Sequence, residues 1–331
     1  MDWPDWARKS IDRIYNIECW TYADKTQKTH CGQGTPFPEV NERWLNGPPP
    51  TSAAGNQQPI AGMRFVGIQH KNIWDSQDHV LYRTLRIAHL LGLSPKPDNP
   101  SADYHDFRNF AGACGSYVGS NKTGEKAYVF FRSIHADTVS IFLRYNETSK
   151  VTVGYLICAP MAPLTAFWES IKAEADNHST FNPLFLPTRM LELYAQWKTD
   201  NMTAINLRLS EVERTTGFGG WHIPPDAVDD SMDKFTAEYS SPHKYSKLAQ
   251  IISELNSQAI FCDSDLRRYA LATAFLIKEL NCLTEGHPSP LALGCDGLRR
   301  RLDFLDSRIQ HMSTDGVRQR AESQQNVVSK V

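Results

Sequence analysis

A run of residues spaced four and three apart constrains this chain most: Leu248, Ile252, Leu255, Ala259, Cys262, Leu266, Tyr269, Thr273, Leu276 and Leu280. A stripe with this period lies along one face of an α-helix and packs on a neighbour as a narrow seam. The segment TEGHPSP interrupts it, and the rhythm returns at Leu298, Leu302, Leu305, Ile309 and Met312. Two long helices joined by a short loop make an antiparallel hairpin. Beyond Gly316 the seam turns polar, with Arg320 and Gln324 ahead of Val327 and Val331. An unbroken helix from Leu291 to the end would reach about 60 Å at 1.5 Å per residue. Such a helix is not stable alone in water and must pack on its own hairpin or on copies of itself. Homo-oligomerisation through the C-terminal helices is therefore expected.

Upstream the periods differ. MRFVGIQ (63–69), AYVFFRS, VSIFLRY and VTVGYLIC read as strands, the last two joined by the hairpin loop NETSK. DSQDHVLYRTLRIAHLLGL carries apolar residues three and four apart and reads as a helix. Pro163 opens a further helix running toward Ala175. FNPLFLP reads as a fixed, extended bridge, because a proline restricts the residue before it. TRMLELYAQWKTDNMTAINLRLSEVERTTGF follows as one or two helices.

The fold class is therefore α/β, a mixed β-sheet flanked by helices, followed by a long antiparallel helical hairpin or stalk. Residues 1–61 are expected to be a Pro-rich leader and linker, opening with an aromatic, charged segment that suits a short helix. Six prolines fall between Pro36 and Pro59. The α/β domain follows over 62–223, an acidic loop over 224–243, and the hairpin over 244–331.

Composition excludes several functions. Lys+Arg 35 against Asp+Glu 37 leaves a net charge of −2, without the basic excess of a nucleic-acid binder, so a nucleic-acid partner is not expected. The seven cysteines include no C-x-x-C pair and are odd in number, which suits a reducing, cytoplasmic compartment better than a disulfide framework or a zinc ribbon. No secretory signal is visible at the N-terminus. The longest charge-free stretch, 151–168, contains Pro160 and Pro163 and reads as strand, turn and helix start rather than a membrane span.

No catalytic constellation stands out, and no catalytic residue, cofactor site or metal ligand is named. GSNKTGEKA (119–127) departs from the phosphate loop at Glu125 and Ala127 and precedes a strand, so it reads as a surface turn. Cys114 and Ser116 lie in a Gly-rich loop without the nucleophile-elbow spacing. His79 and His89 are ten apart on one helix, too far to share an ion, and Asp103, His105 and Asp106 suit a turn. Glu211 and Glu213 point to different helix faces, which makes them a poor acid–base pair. GFGGW (217–221) reads as a helix stop. Asp226, Asp229, Asp230 and Asp233 form an acidic run able to attract divalent cations weakly. Arg299, Arg300 and Arg301 suit a charged rim or an anion contact.

Four short patterns resemble a known family. LRYN (143–146), GYLICAP (154–160), NPLFLP (182–187) and VERTTG (212–217), in that order, resemble the soluble N-terminal region of fungal CorA-like magnesium transporters. Asn146 stands in place of the usual Asp, and Asn182 where a His is common. The closing RIQHMSTDGVRQRAESQQNVVSKV resembles the start of that family's stalk, with its R-x-x-x-Q. The resemblance spans about 125–331.

It implies a cytosolic regulatory or sensor domain of a divalent-cation (Mg2+) transporter that lacks the pore, with Mg2+ as a weak regulatory ion. The family's Gly-Met-Asn pore signature is absent from these residues, so a membrane would be met only through sequence beyond residue 331. The reading from a different class is a stand-alone soluble enzyme of specialised metabolism, a transferase or aminoacyl-tRNA-using synthase, on the same scaffold. Its candidate residues are Cys114, Ser116, Asp103, His105, Asp106 and Arg299–Arg301.

Overall fold

The computed structural model describes residues 11–23, 27–33, 43–51, 58–70, 115–118, 125–130, 139–158, 164–174, 182–216, 243–284, 292–312 and 314–329. In chain order these are strands β1 (Ile11–Thr21), β2 (Gln27–Gln33), β3 (Ala61–His70), β4 (Gly115–Val118), β5 (Glu125–Phe130), β6 (Val139–Asn146) and β7 (Val151–Cys158). The helices are α1 (Leu164–Glu174), α2 (Phe185–Thr216), α3 (His243–Thr284), α4 (Ala292–His311) and α5 (Asp315–Val328). Two compact units result: Met1–Leu193 with Leu271–Asp306, and Tyr194–Ala270 with Ser307–Val331. Helices α2, α3 and α4 each contribute to both. A helix longer than one core packs its two ends on different partners.

The first unit holds a seven-stranded sheet in the order β2-β1-β3-β7-β6-β5-β4. The β3–β7 pair is parallel and the others are antiparallel, so the sheet is mixed. β3 and β7 lie inside it, and Met63–Ile68 and Thr152–Leu156 are buried along their length. The β6–β7 loop turns at Asn146, whose Oδ1 accepts the N–H groups of Thr148 and Ser149 at 3.0 and 2.9 Å. Lys150 completes the turn at φ 56°.

β1 and β2 fall inside the segment expected to be a leader, and Ile11–Thr21 is a strand rather than a short helix. β1 pairs with β2 on one side and β3 on the other. This tertiary pairing satisfies a backbone that its own charges mark only weakly as strand. The Pro-rich stretch after it is partly docked. A helical turn over 43–46 leads into Gly47–Pro50, whose prolines have no N–H to give a ladder. Its carbonyls are met by side chains from the sheet instead. Arg64 donates to the carbonyls of Trp44, Gly47 and Pro48 at 2.7, 2.7 and 3.0 Å, and Tyr22 donates to that of Pro50 at 2.9 Å. Nε of Arg64 donates to Glu18, and its guanidinium lies 5.0 Å from the Trp20 ring and 5.4 Å from the Trp44 ring. A buried cation is tolerated here because every direction carries an acceptor or a π-face.

The other sheet face presents Ile17, Met63, Phe65, Leu156, Ile141, Leu143 and Tyr145, all buried. Burial first, then the nearby Glu147 and Cys295, push the Tyr145 phenol up, which places Cys295 of α4 beside this face. Asn182 opens α2. Its Oδ1 accepts the N–H of Leu184 at 2.9 Å and its backbone carbonyl that of Phe185 at 3.0 Å. FNPLFLP is therefore not an extended bridge: helix begins at Phe185 and holds Pro187 in its first turn, where a missing N–H costs nothing.

The second unit is a bundle. Met202, Ile205, Leu209 and Val212 of α2 pack with Leu248, Ile252, Leu255, Ala259 and Cys262 of α3 and with Val317, Ala321 and Val328 of α5. Lys198 meets Asp265 and Tyr194 meets Tyr269, so α3 runs opposite to α2. Glu213 meets Arg320 and Thr216 meets Gln324, so α5 runs along α2 and opposite to α3, the expected antiparallel arrangement. All ten seam positions from Leu248 to Leu280 are buried. Much of that seam is covered by α2 within one chain, so the stripe alone does not call for a second copy.

The last helix is not continuous. α4 ends at His311 and α5 begins at Asp315. In a straight helix at 100° per residue, Val317, Ala321 and Val328 would lie roughly 110° around from the stripe through Leu298–Ile309. The break lets them rejoin a core, and Gln324, 1% exposed, is carried in with them.

Candidate functional site

Helix α2 positions polar side chains at three levels. At its start, in the first unit, Arg189 and Glu192 face Glu174 of α1 and Arg301 of α4. Arg189 reaches Glu174 at 3.1 Å and Glu192 at 2.8 Å, and its Nε donates to the Ser170 hydroxyl at 3.0 Å. Arg301 donates through Nη1 to Glu174 at 2.6 Å and through Nε and Nη2 to both Glu192 oxygens. Two carboxylates and two guanidiniums thus alternate. Burial opposes the charge on Glu192, but hydrogen bonds from Arg301 and Arg189, then their charges, hold its carboxyl below the usual range.

In the second unit, Lys198 is 5% exposed, with Nζ 2.5 Å from Asp265 and 4.8 Å from the Trp197 ring. Asp265 also accepts from Arg268 at 2.6 Å. Near the end of α2, Arg320 donates to both Glu213 oxygens at 2.8 and 2.7 Å, to Asn206 Oδ1 at 3.0 Å and to the Ser210 hydroxyl at 2.9 Å. The Thr216 hydroxyl donates to Gln324 Oε1 at 2.6 Å. Glu211, two residues from Glu213, is exposed, as expected of different faces.

The arginine triplet divides. Arg301 belongs to the Glu174–Glu192 cluster, Arg299 donates to Asn281, and exposed Arg300 reaches only the Asp296 carbonyl at 3.4 Å. Ser116 lies in β4. Cys114, Asp103, His105, Asp106, His79, His89, the turn 119–124, GFGGW, the helix expected over 75–93 and the acidic run Asp226–Asp233 lie outside the described residues. Sequence reading did not single out Arg64, Glu174, Arg189, Glu192, Lys198 or Asp265. A charge inside the apolar strand MRFVGI was the one available signal, at Arg64.

Residues of the four resembling patterns have structural work. In LRYN, Arg144 donates to Asn46 at 2.6 Å and Asn146 holds the turn. In GYLICAP, a Cβ on Gly154 would come within 2.4 Å of the Phe142 carbonyl oxygen. In NPLFLP, Asn182 holds the turn that leads into α2 and its Nδ2 lies 3.3 Å from Cys295 Sγ. In VERTTG, Glu213 and Thr216 meet Arg320 and Gln324, the R-x-x-x-Q pair.

A divalent cation does not fit these clusters. Among the described residues no group of three His, Cys, Asp or Glu side chains stands together as a metal site. Glu174 and Glu192, the paired carboxylates, already hold two guanidiniums that Mg2+ would have to displace. Among the described residues no helix is long and apolar enough to cross a membrane.

No family model matches the chain, and no curated protein matches it. Among solved structures, the soluble domain of CorA from Methanocaldococcus jannaschii matches over 81% of this chain and 85% of that one, at 9% identity and a TM-score of 0.38. A likeness of that size carries no argument about this chain's activity.

Proposed function

We propose that this chain is a cytosolic regulatory domain of a CorA-like divalent-cation transporter, working as an assembly of several copies and responding weakly to Mg2+. One observation supports the reading above others. Two segments that resemble the same family, VERTTG and R-x-x-x-Q, meet side chain to side chain across 107 and 108 residues of sequence, as Glu213 with Arg320 and Thr216 with Gln324. Segments that travel together in a pattern are expected to touch, and these do. A mixed sheet followed by long helices agrees with the architecture the resemblance implies. Among the described residues no group of three ligating side chains stands together, so no ligand is assigned.

The test is a titration of the full chain with millimolar MgCl2 against NaCl of equal ionic strength, following mass by light scattering and the melting temperature. A change in mass or melting specific to Mg2+ supports the proposal. A monomer that responds identically to both salts overturns it.

A further inference from the structure

Helix α5 is attached differently from the helices around it. α4 buries Leu298, Leu302, Leu305 and Ile309, whereas α5 buries Val317, Ala321 and Val328 with one glutamine. Less apolar area is buried along α5, so its burial contributes less. The join before it is poorly satisfied. Thr314 at the N-cap has helical dihedrals of φ −89° and ψ −9° and makes no side-chain cap bond. Its hydroxyl is buried without a hydrogen-bond partner among the described residues. A buried, unpaired hydroxyl costs free energy, so other contacts hold the join in place. Beside the apolar packing of Val317, Ala321 and Val328, those contacts include four hydrogen bonds from Arg320 to Glu213, Asn206 and Ser210, and one between Thr216 and Gln324.

We propose that α5 is a releasable strap: Asp315–Val328 undocks as a unit, with the Arg320–Glu213 pair as its clasp. Release removes Val317, Ala321 and Val328 from the apolar cluster they share with α2 and α3 and bares part of it. The device goes beyond the proposed transport role and stands without it. It needs no Mg2+ and no second copy, so its test is separate from the one above.

Hydrogen exchange on the full chain, read peptide by peptide at one protein concentration, decides the matter. In the wild type, amides of 315–328 are expected to exchange about tenfold or more faster than those of 298–305. Arg320→Met should speed α5 by about another tenfold and leave 298–305 unchanged, because the lost bonds are charge-assisted. Thr314→Val removes the unpaired hydroxyl without losing a cap bond and should slow α5. The proposal is overturned if α5 exchanges together with α4, if Arg320→Met speeds both segments alike, or if it leaves α5 as it was. Should Arg320→Met not fold, Thr314→Val decides: an α5 that does not slow also overturns it.

Discussion

Arg301 grips Glu192 edge to edge: Nε donates to one carboxylate oxygen at 2.7 Å and Nη2 to the other, while Nη1 reaches Glu174 at 2.6 Å. The pair fastens α4 to α2, and through Glu174 to α1, across 109 residues of sequence. The Phe185 ring lies 5.6 Å from the guanidinium carbon and shields one side.

Acid sensitivity follows from this grip. The Glu192 carboxyl is held below its ordinary value in the folded chain. Its contribution is therefore complete above the ordinary carboxylate range and is lost as pH falls through the depressed folded value. Arg301→Met should destabilise the chain by about 2 kcal/mol at neutral pH, an amount discounted for partial exposure. It should also flatten the fall in stability below the carboxylate range. Urea midpoints measured across acidic pH for both chains check this.

Two glycines make opposite predictions. At Gly154 an added Cβ would meet the Phe142 carbonyl at 2.4 Å and the Phe65 ring at 2.7 Å, between strands that have no room to part. Gly154→Ala should cost about 3 kcal/mol, the upper end for overpacking. At Gly297, within α4, nothing lies within 4 Å of the same atom. Gly297→Ala should stabilise by about 0.5–1 kcal/mol through helix propensity. Melting curves of the two variants should move in opposite directions.

Lys198 and Asp265 are not equivalent halves of one pair. Removing Asp265 leaves a buried ammonium beside a ring, whereas removing Lys198 leaves a carboxylate that still accepts from Arg268. Asp265→Ala should cost about 3 kcal/mol and Lys198→Met about 1 kcal/mol. Equal losses in chemical denaturation would contradict this asymmetry.

The elements that sequence reading anticipated are those that carry a clear local period. The seam Leu248–Leu280 is a local period, and all ten of its positions are buried. The hairpin of β6 and β7 needs only NETSK between two apolar runs. β1 was not legible because its partners β2 and β3 supply the reason for its extension. The break before α5 was hidden for a related reason. Polar residues such as Arg320 and Gln324 look like a failing seam until Glu213 and Thr216 stand opposite them.

Helical and strand periods, with the proline and glycine punctuation between them, already specified an α/β sheet followed by an antiparallel pair of helices, because such periods arise from backbone geometry within a few residues. Tertiary packing alone settled where charges pair, how the 43–50 segment is tied down and where the final helix breaks. Those outcomes depend on desolvation and on partners as much as 127 residues away, which no local window contains.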